Sequence, residues 1–327
     1  MGNRDHKRSW LSAITWVVLV APLGLVWAGC ANHQKAPTAP AGAGAEACAA
    51  PTVFYRGNFS NSSNIVDNRW YPLVPGTQFI LDGVANRGGG LLPHRVVFTV
   101  TDLTKEINGV RAVVLWDRDY NSSALQEAEL AFHAQDREGN VWVLGEYPEE
   151  YQNGDFIGAP SVWISGLAGA EAGIIVPQVP YVGARFLQGF APDINFLDCA
   201  SVFMTGQRAC VPFDCYENGL VMDETSPLEP GSGHQRKFYA PGVGNVQVGA
   251  VDDPEGETLV LVNVLHLDPK ELAEASAEAL KLEEHAYQIN EIYRYTPRMR
   301  LPGSAPPAAE SRAASGSVNA PGTPPTP

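Results

Sequence analysis

The sequence predicts a mainly β fold: a curled antiparallel meander sheet, half-barrel or barrel-like, followed by one C-terminal amphipathic helix. Three observations predict it. Short β-rich runs recur at close spacing between residues 77 and 267, each bounded by Gly, Asn, Asp or Pro. The stretch 268–295 switches to apolar residues at three- and four-residue steps. Both flanks are rich in Ala, Pro and Gly, which leaves one body, residues 64–295, of a size to bury a single core.

The runs at 77–85 and 94–100 flank Arg87-Gly88-Gly89-Gly90, where glycines allow the positive φ of a hairpin turn. Runs at 109–116 and 127–134 follow, and Asp136-Arg137-Glu138-Gly139 turns the chain into 140–144. Further runs at 159–165, 172–176, 184–190, 195–204, 210–214, 220–224, 235–239, 243–250 and 258–267 complete the meander. A sheet of so many strands must curl, split or close. The helix opens on Asp268 at the N-cap, Pro269 at N1 and Glu271 at N3. Leu272, Ala275, Ala279, Leu282, Ala286, Ile289 and Tyr293 form its apolar stripe, and Pro297 ends it. The expected seat for that stripe is the concave face of the sheet.

The amino end carries Arg4, Lys7 and Arg8 against Asp5, then 19 mostly apolar residues at 10–28, the pattern of a secretory signal. Leu25-Val26-Trp27-Ala28-Gly29-Cys30 resembles a bacterial lipobox. That resemblance implies cleavage before Cys30, lipidation of Cys30 and residence in the cell envelope. With Ala31 rather than Asp next, it implies the outer membrane of a diderm cell. Trp27 departs from the pattern, which usually has an aliphatic residue there. The alternative is an uncleaved anchor, since an apolar run of this length just spans a bilayer. The expected layout is a signal at 1–29, lipidated Cys and flexible tether at 30–63, the domain at 64–295 and a disordered Pro/Ala-rich tail at 296–327.

The net charge is −14, and loss of residues 1–29, with three basic and one acidic side chain, moves it to about −16. Such a charge opposes phosphate backbones, so nucleic acid is not an expected partner. It also disfavours flat adsorption on anionic lipid, so the expected contact with the membrane is the lipid anchor. Besides Cys30 there are four cysteines, an even number that fits two disulfides in an exported chain. A three-residue turn at Gly206-Gln207-Arg208 would set Cys199 opposite Cys215 and leave Cys210 for Cys48, tying the tether to the domain. A shift of one residue in register undoes this pairing.

Candidate chemistry is sparse. Asp117, Asp119 and Asn121 reproduce the opening of many calcium loops, but Ser122 and Ala128 stand where such a loop needs Gly and Glu. A polar hairpin between strands is the plainer reading. Glu127, Glu129 and His133 share strand parity and so one face, with Asp136 close by. That set fits a divalent cation, Ca²⁺ or another, or acid/base chemistry. It equally fits the polar outer face of a sheet. Trp70, Tyr71, Trp116, Trp142 and Trp163 are candidates to line a ligand cavity, Trp142 and Trp163 above all. There is no Gly-x-Ser-x-Gly, His-Glu-x-x-His or Walker-type Gly-Lys-Ser/Thr motif.

Three segments together resemble a family of uncharacterised bacterial exported proteins. They are Trp70-Tyr71-Pro72-Leu73-Val74-Pro75-Gly76-Thr77, Ala134-Gln135-Asp136-Arg137-Glu138-Gly139-Asn140-Val141-Trp142, and Pro227-Leu228-Glu229-Pro230 with Lys237-Phe238-Tyr239-Ala240-Pro241-Gly242-Val243-Gly244. The resemblance implies one β-rich domain and carries no activity. A looser likeness is to half-barrel folds that handle periplasmic lipoproteins. The leading expectation is a lipid-anchored binding or assembly module, for an envelope protein or for an apolar ligand in the sheet's concavity. The alternatives are a metal-dependent or carboxylate/His enzyme centred on Glu127, Glu129, His133 and Asp136, and a purely structural lipoprotein.

Overall fold

A computed structural model describes residues 42–303 and, before them, only a two-residue pair, Arg8–Ser9 with Ile14–Thr15. Cys30, the rest of the signal segment and the tail from 304 on lie outside the described residues. A short helix α1 (Ala43–Ala47) leads into the sheet. The strands are β1 (Thr77–Asn86), β2 (Leu91–Ile107), β3 (Val110–Asn121), β4 (Ala124–Gln135), β5 (Val141–Gln152), β6 (Asp155–Gly158), β7 (Trp163–Ile164), β8 (Glu171–Val176), β9 (Arg185–Ala191), β10 (Phe196–Cys210), β11 (Cys215–Thr225), β12 (His234–Ala240), β13 (Gly244–Val251) and β14 (Thr258–His266). Helix α2 (Pro269–Ile289) follows.

The meander closes on itself. β1 to β5 and β8 to β14 each pair antiparallel with the next, β14 returns to β1, and β8 pairs with β5, so 12 strands form a barrel. The two short strands β6 and β7 add to β5 without entering the ring. Closure is the answer that the sequence left open, and it removes the exposed edges of a long open sheet. Asn108 and Gly109, at φ 48° and 73°, make the two-residue turn from β2 to β3 that such hairpins favour.

The two faces of the barrel wall reverse the expected polarity. On β4, Phe132 packs outward against Tyr293, while Ala131 and His133 line the lumen. On the outside, Leu103, Ala112, Val114, Leu130, Phe132 and Leu144 form one apolar cluster with Ala279, Leu282 and Ala286 of α2. The helix therefore covers the convex face, not the concave one, because the apolar stripe of β2 to β5 points out and the polar one points in. Its start is as read: the Asp268 carboxylate accepts from the Lys270 and Glu271 N–H groups, and Glu271 reaches back to the Asp268 N–H. The helix stops at Ile289, before the expected 295. Among the described residues no helix is long and apolar enough to cross a membrane.

Residues 42–63 are part of the folded body rather than a free tether. The Gly42 N–H donates to Glu171 Oε1 at 2.9 Å, and Gly44 lies so close to β9 that a Cβ would sit 2.5 Å from the Phe190 Cβ. Arg137 N–H donates to Asn58 O and Gln135 N–H to Ser63 O. The far end is also built in: Thr104 and Arg300 exchange backbone hydrogen bonds, and Lys105 Nζ donates to Pro297 O at 2.7 Å. The tail thus begins later than 296.

The disulfides are Cys48–Cys199 and Cys210–Cys215, with Cα separations of 5.4 and 4.0 Å. The expected pairs, Cys199 with Cys215 and Cys48 with Cys210, are overturned by the position of one turn. The hairpin turns at 211–214, where Val211 N–H donates to Asp214 O, and not at 206–208. Cys210 then faces Cys215 directly, while Cys199 lies opposite Thr225 and meets Cys48 beside Leu187 and Leu197.

Candidate functional site

The lumen is lined by ionisable side chains. On β3, Asp117, Asp119 and Asn121 share the parity of Leu115, which faces inward. They lie on a regular strand whose turn is Ser122-Ser123, so the calcium-loop reading is overturned by a straight backbone with all three side chains on one face. Asp117 pairs across the ladder with Glu129, and Asp119 with Glu127, which in turn faces Glu150 on β5. Directly paired residues hold their Cβ atoms about 5 Å apart. His133 shares the lumen face of β4 nearer the opposite end. The structure thus brings Asp117, Asp119, Glu127, Glu129 and His133 onto two adjacent strands, all at least nine-tenths buried. Asp136 is not with them. Its carboxylate accepts from the Glu138 and Asn140 N–H groups and from Trp142 Nε1, which fixes the β4–β5 turn. Among the described residues no three His, Cys, Asp or Glu side chains stand close enough to hold one metal ion.

The barrel has two unlike ends. At the end formed by the β1–β2, β3–β4 and β13–β14 connections, Arg87 is held by Glu255, by Glu257 at 3.1 Å and by Asp119 at 3.7 Å. His94 Nδ1 lies 3.2 Å from Asp119, and burial with the neighbouring Arg87 charge pushes His94 down to about 3, so it is neutral. This network plugs that end.

The other end holds a small cavity of about 80 Å³ that opens to solvent. Its apolar walls include Leu73, Phe79, Phe98, Leu115, Ile175 and Val243, and its polar groups include His133, Glu146, Lys237, Tyr239 and Asn245. Tyr71 spans the mouth, with ring centroids 5.6 Å from His133 and 6.1 Å from Tyr239 on the opposite wall. The strap that carries Tyr71 is tied down at Arg69 O, which accepts from Gly242 N–H at 2.7 Å. Apolar walls with a few convergent polar groups are the usual lining of a small-molecule pocket.

Of the aromatic candidates, Tyr71 lines the cavity and Trp142 does not. Trp142 lies on the outer face, packed edge-on against Phe54 and Phe59 at 5.8 and 5.9 Å. Trp163 stacks on Phe196 at 5.5 Å, and its Nε1–H donates to Glu146 Oε2 at 2.8 Å. It is therefore a neighbour that holds a cavity carboxyl in place rather than a cavity wall.

Burial governs the charges. Desolvation pushes the Asp117 carboxyl up to about 8 and those of Glu146 and Glu257 up to about 7. It raises Asp119 and Glu129 well above the usual carboxylate range, and lowers His133 to about 4. Lys237 is the cation of the cavity, and Glu224 Oε2 holds its Nζ at 2.6 Å. Glu146 and Glu224 carried no motif in the sequence, and Lys237 stood only in a segment that resembles a family without a known activity.

No protein-family profile matches the chain, and no curated protein matches it. Two solved structures are similar to it. One is a "putative exported protein with YmcC-like fold" from Bacteroides fragilis, 14% identical, covering 60% of this chain and 98% of that one, with a TM-score of 0.32. The other is a "putative lipoprotein" from Parabacteroides distasonis, 13% identical over the same shares, with a TM-score of 0.31. Both descriptions fall in the exported class that the three motifs resemble. At such identities and scores they say nothing about what this chain binds or does.

Proposed function

We propose that this chain is a lipid-anchored protein of the cell envelope, tethered through Cys30, whose barrel binds a small molecule with an apolar body in the cavity beneath Tyr71. The observation that carries the reading is the cavity in the lumen beneath Tyr71, where Phe79, Phe98, Leu115, Ile175 and Val243 leave space between opposite walls, while the Arg87 ion pairs cross the other end. Protein interiors are otherwise close-packed, and an apolar void loses contacts that a ligand restores. Residue 42 is fixed to the barrel wall, so an anchor at Cys30 would hold the domain near the bilayer on a leash of about 12 residues, at most roughly 40 Å.

Native mass spectrometry of the purified full-length protein tests the reading. The expected result is a bound apolar molecule that leaves on denaturation, and its loss in an Ala131→Phe variant that fills the cavity while keeping wild-type circular dichroism. Protein that carries no ligand and takes up no apolar probe overturns it. The lipid on Cys30 is tested in the same spectra, as a covalent mass on a new amino-terminal Cys.

A further inference from the structure

We propose that the ligand of this cavity carries a positively charged nitrogen on its apolar body, so that the site selects amines over carboxylates and phosphates. The proposal rests on the cavity reading above and names the chemical class that the cavity would take.

The polar groups around the inner wall are overwhelmingly acidic. Glu146 lines the cavity from β5. Behind it Asp117 on β3 and Glu129 on β4 face each other across the ladder, 3% and 1% exposed. Glu224 on β11 and Asp198 on β10 face them from the far wall, and Glu257 adds its field from the β13–β14 side. Against these stands one ammonium, Lys237, already held by Glu224. The remaining neighbours, Tyr71, Tyr239 and the neutral His133, carry no charge at neutral pH. An anionic head entering here would find its one cation, Lys237, already held by Glu224, and would oppose ionisation of Glu146 beside it.

Second, acceptor atoms stand ready without a donor. Asp117 Oδ1, Glu129 Oε1 and His133 Nδ1 are buried and make no hydrogen bond. Buried polar atoms are nearly always paired, so these three on one lumen face ask for a partner; His133 lines the cavity itself, and Asp117 and Glu129 stand behind its wall. An ammonium has three donors and no acceptor, which complements ionised carboxylates and the free nitrogen of an imidazole protonated on Nε2. In the empty barrel desolvation keeps these carboxyls protonated. An entering ammonium favours the ionised form, so the carboxyl's O–H breaks, its proton leaves to solvent, and the N⁺–H···O⁻ pair forms. Cation binding and proton release are therefore linked.

Calorimetric titration of full-length protein with octylamine, octanol and octanoate reads the head group at constant chain length. At pH 8 octylamine is expected to bind at least about tenfold more tightly than octanol, with octanoate weakest. From pH 6 to pH 8 its affinity should rise, by at most about tenfold per pH unit for each proton released, while octanol shows no such rise. Glu146→Gln keeps an acceptor for Trp163 Nε1 and should flatten that rise. Glu129→Gln is the second variant, in case the first does not fold. Octanoate binding as tightly as octylamine, or octylamine affinity independent of pH, overturns the amine inference and leaves the cavity reading standing. Failure of all three ligands overturns both.

Discussion

Replacing Asp117 by Asn isolates what it costs to keep a carboxyl in the lumen. In the folded chain burial holds Asp117 protonated up to about 8, whereas unfolded it titrates near 3.8. Between those values folding takes up one proton, so stability is greatest at low pH and declines as pH rises towards 8. The slope is about 1.4 kcal/mol per pH unit for one proton. Asn has the shape of the protonated acid and no proton to gain, so the variant lacks this slope. Urea unfolding of both proteins should therefore give a stability gap that widens in favour of Asp117→Asn by about 3 kcal/mol between pH 5 and pH 7. Other groups shape each curve alone: Glu146 and Glu257 slope the same way up to about 7, and His133, neutral down to about 4, slopes the opposite way below 6.5. They cancel in the difference to the extent that the substitution leaves them unchanged. A gap that stays constant from pH 5 to pH 7 would mean that folded Asp117 is ionised there, and the desolvation argument for the lumen would be wrong.

The two disulfides should differ in weight. Cys48–Cys199 spans a separation of 151 residues and Cys210–Cys215 only 5, so loop entropy assigns them about 5 and about 2 kcal/mol. Paired Ala substitutions followed by thermal unfolding should show the larger drop for Cys48/Cys199, and equal drops would refute the entropic account. Lys105→Met leaves Glu283 buried without its 2.7 Å partner and should cost about 3–5 kcal/mol, with α2 amides exchanging first. Adding Glu283→Leu should restore much of that loss; no recovery would mean that Lys105 contributes through its ring contacts with Tyr293 and Tyr287 instead.

The strands, the hairpins and the helix start were legible because each rests on local chemistry: alternation, turn residues, and the Asp268-Pro269 cap. What was not legible was which face of an alternating strand points inward. Leu130 and Phe132 alternate with Glu129 and His133 on β4, and alternation alone gives two faces without saying which meets the lumen. The sequence reading put the apolar face inside by default, and so put the helix there. Only the closure of the ring, a contact between residues about 180 positions apart, decides it. The cysteine pairing failed for a related reason, since extending β10 to Cys210 moved the turn and with it each cross-strand neighbour. Parity did group Glu127, Glu129 and His133 correctly; Glu146 joins them from the next strand, opposite Ala131 where the register shifts, and Lys237 comes from β12, far along the chain, and joins them only through the barrel's curvature.

The pairing of β14 with β1 also sets an order in time. Every other junction of the ring joins strands that are near neighbours along the chain, so a polypeptide delivered amino end first can add them one by one as it emerges. β1 is different: one of its two sides stays bare until residues 258–266 arrive. Until then the acid-rich face is wet, its carboxyls ionised and mutually repelling, and the ring stands open. Docking of the last strand is expected to drive water from that face and to let the carboxyls take up protons, so refolding followed by stopped-flow should slow as the medium becomes more alkaline; a rate independent of pH would mean that the ring closes elsewhere.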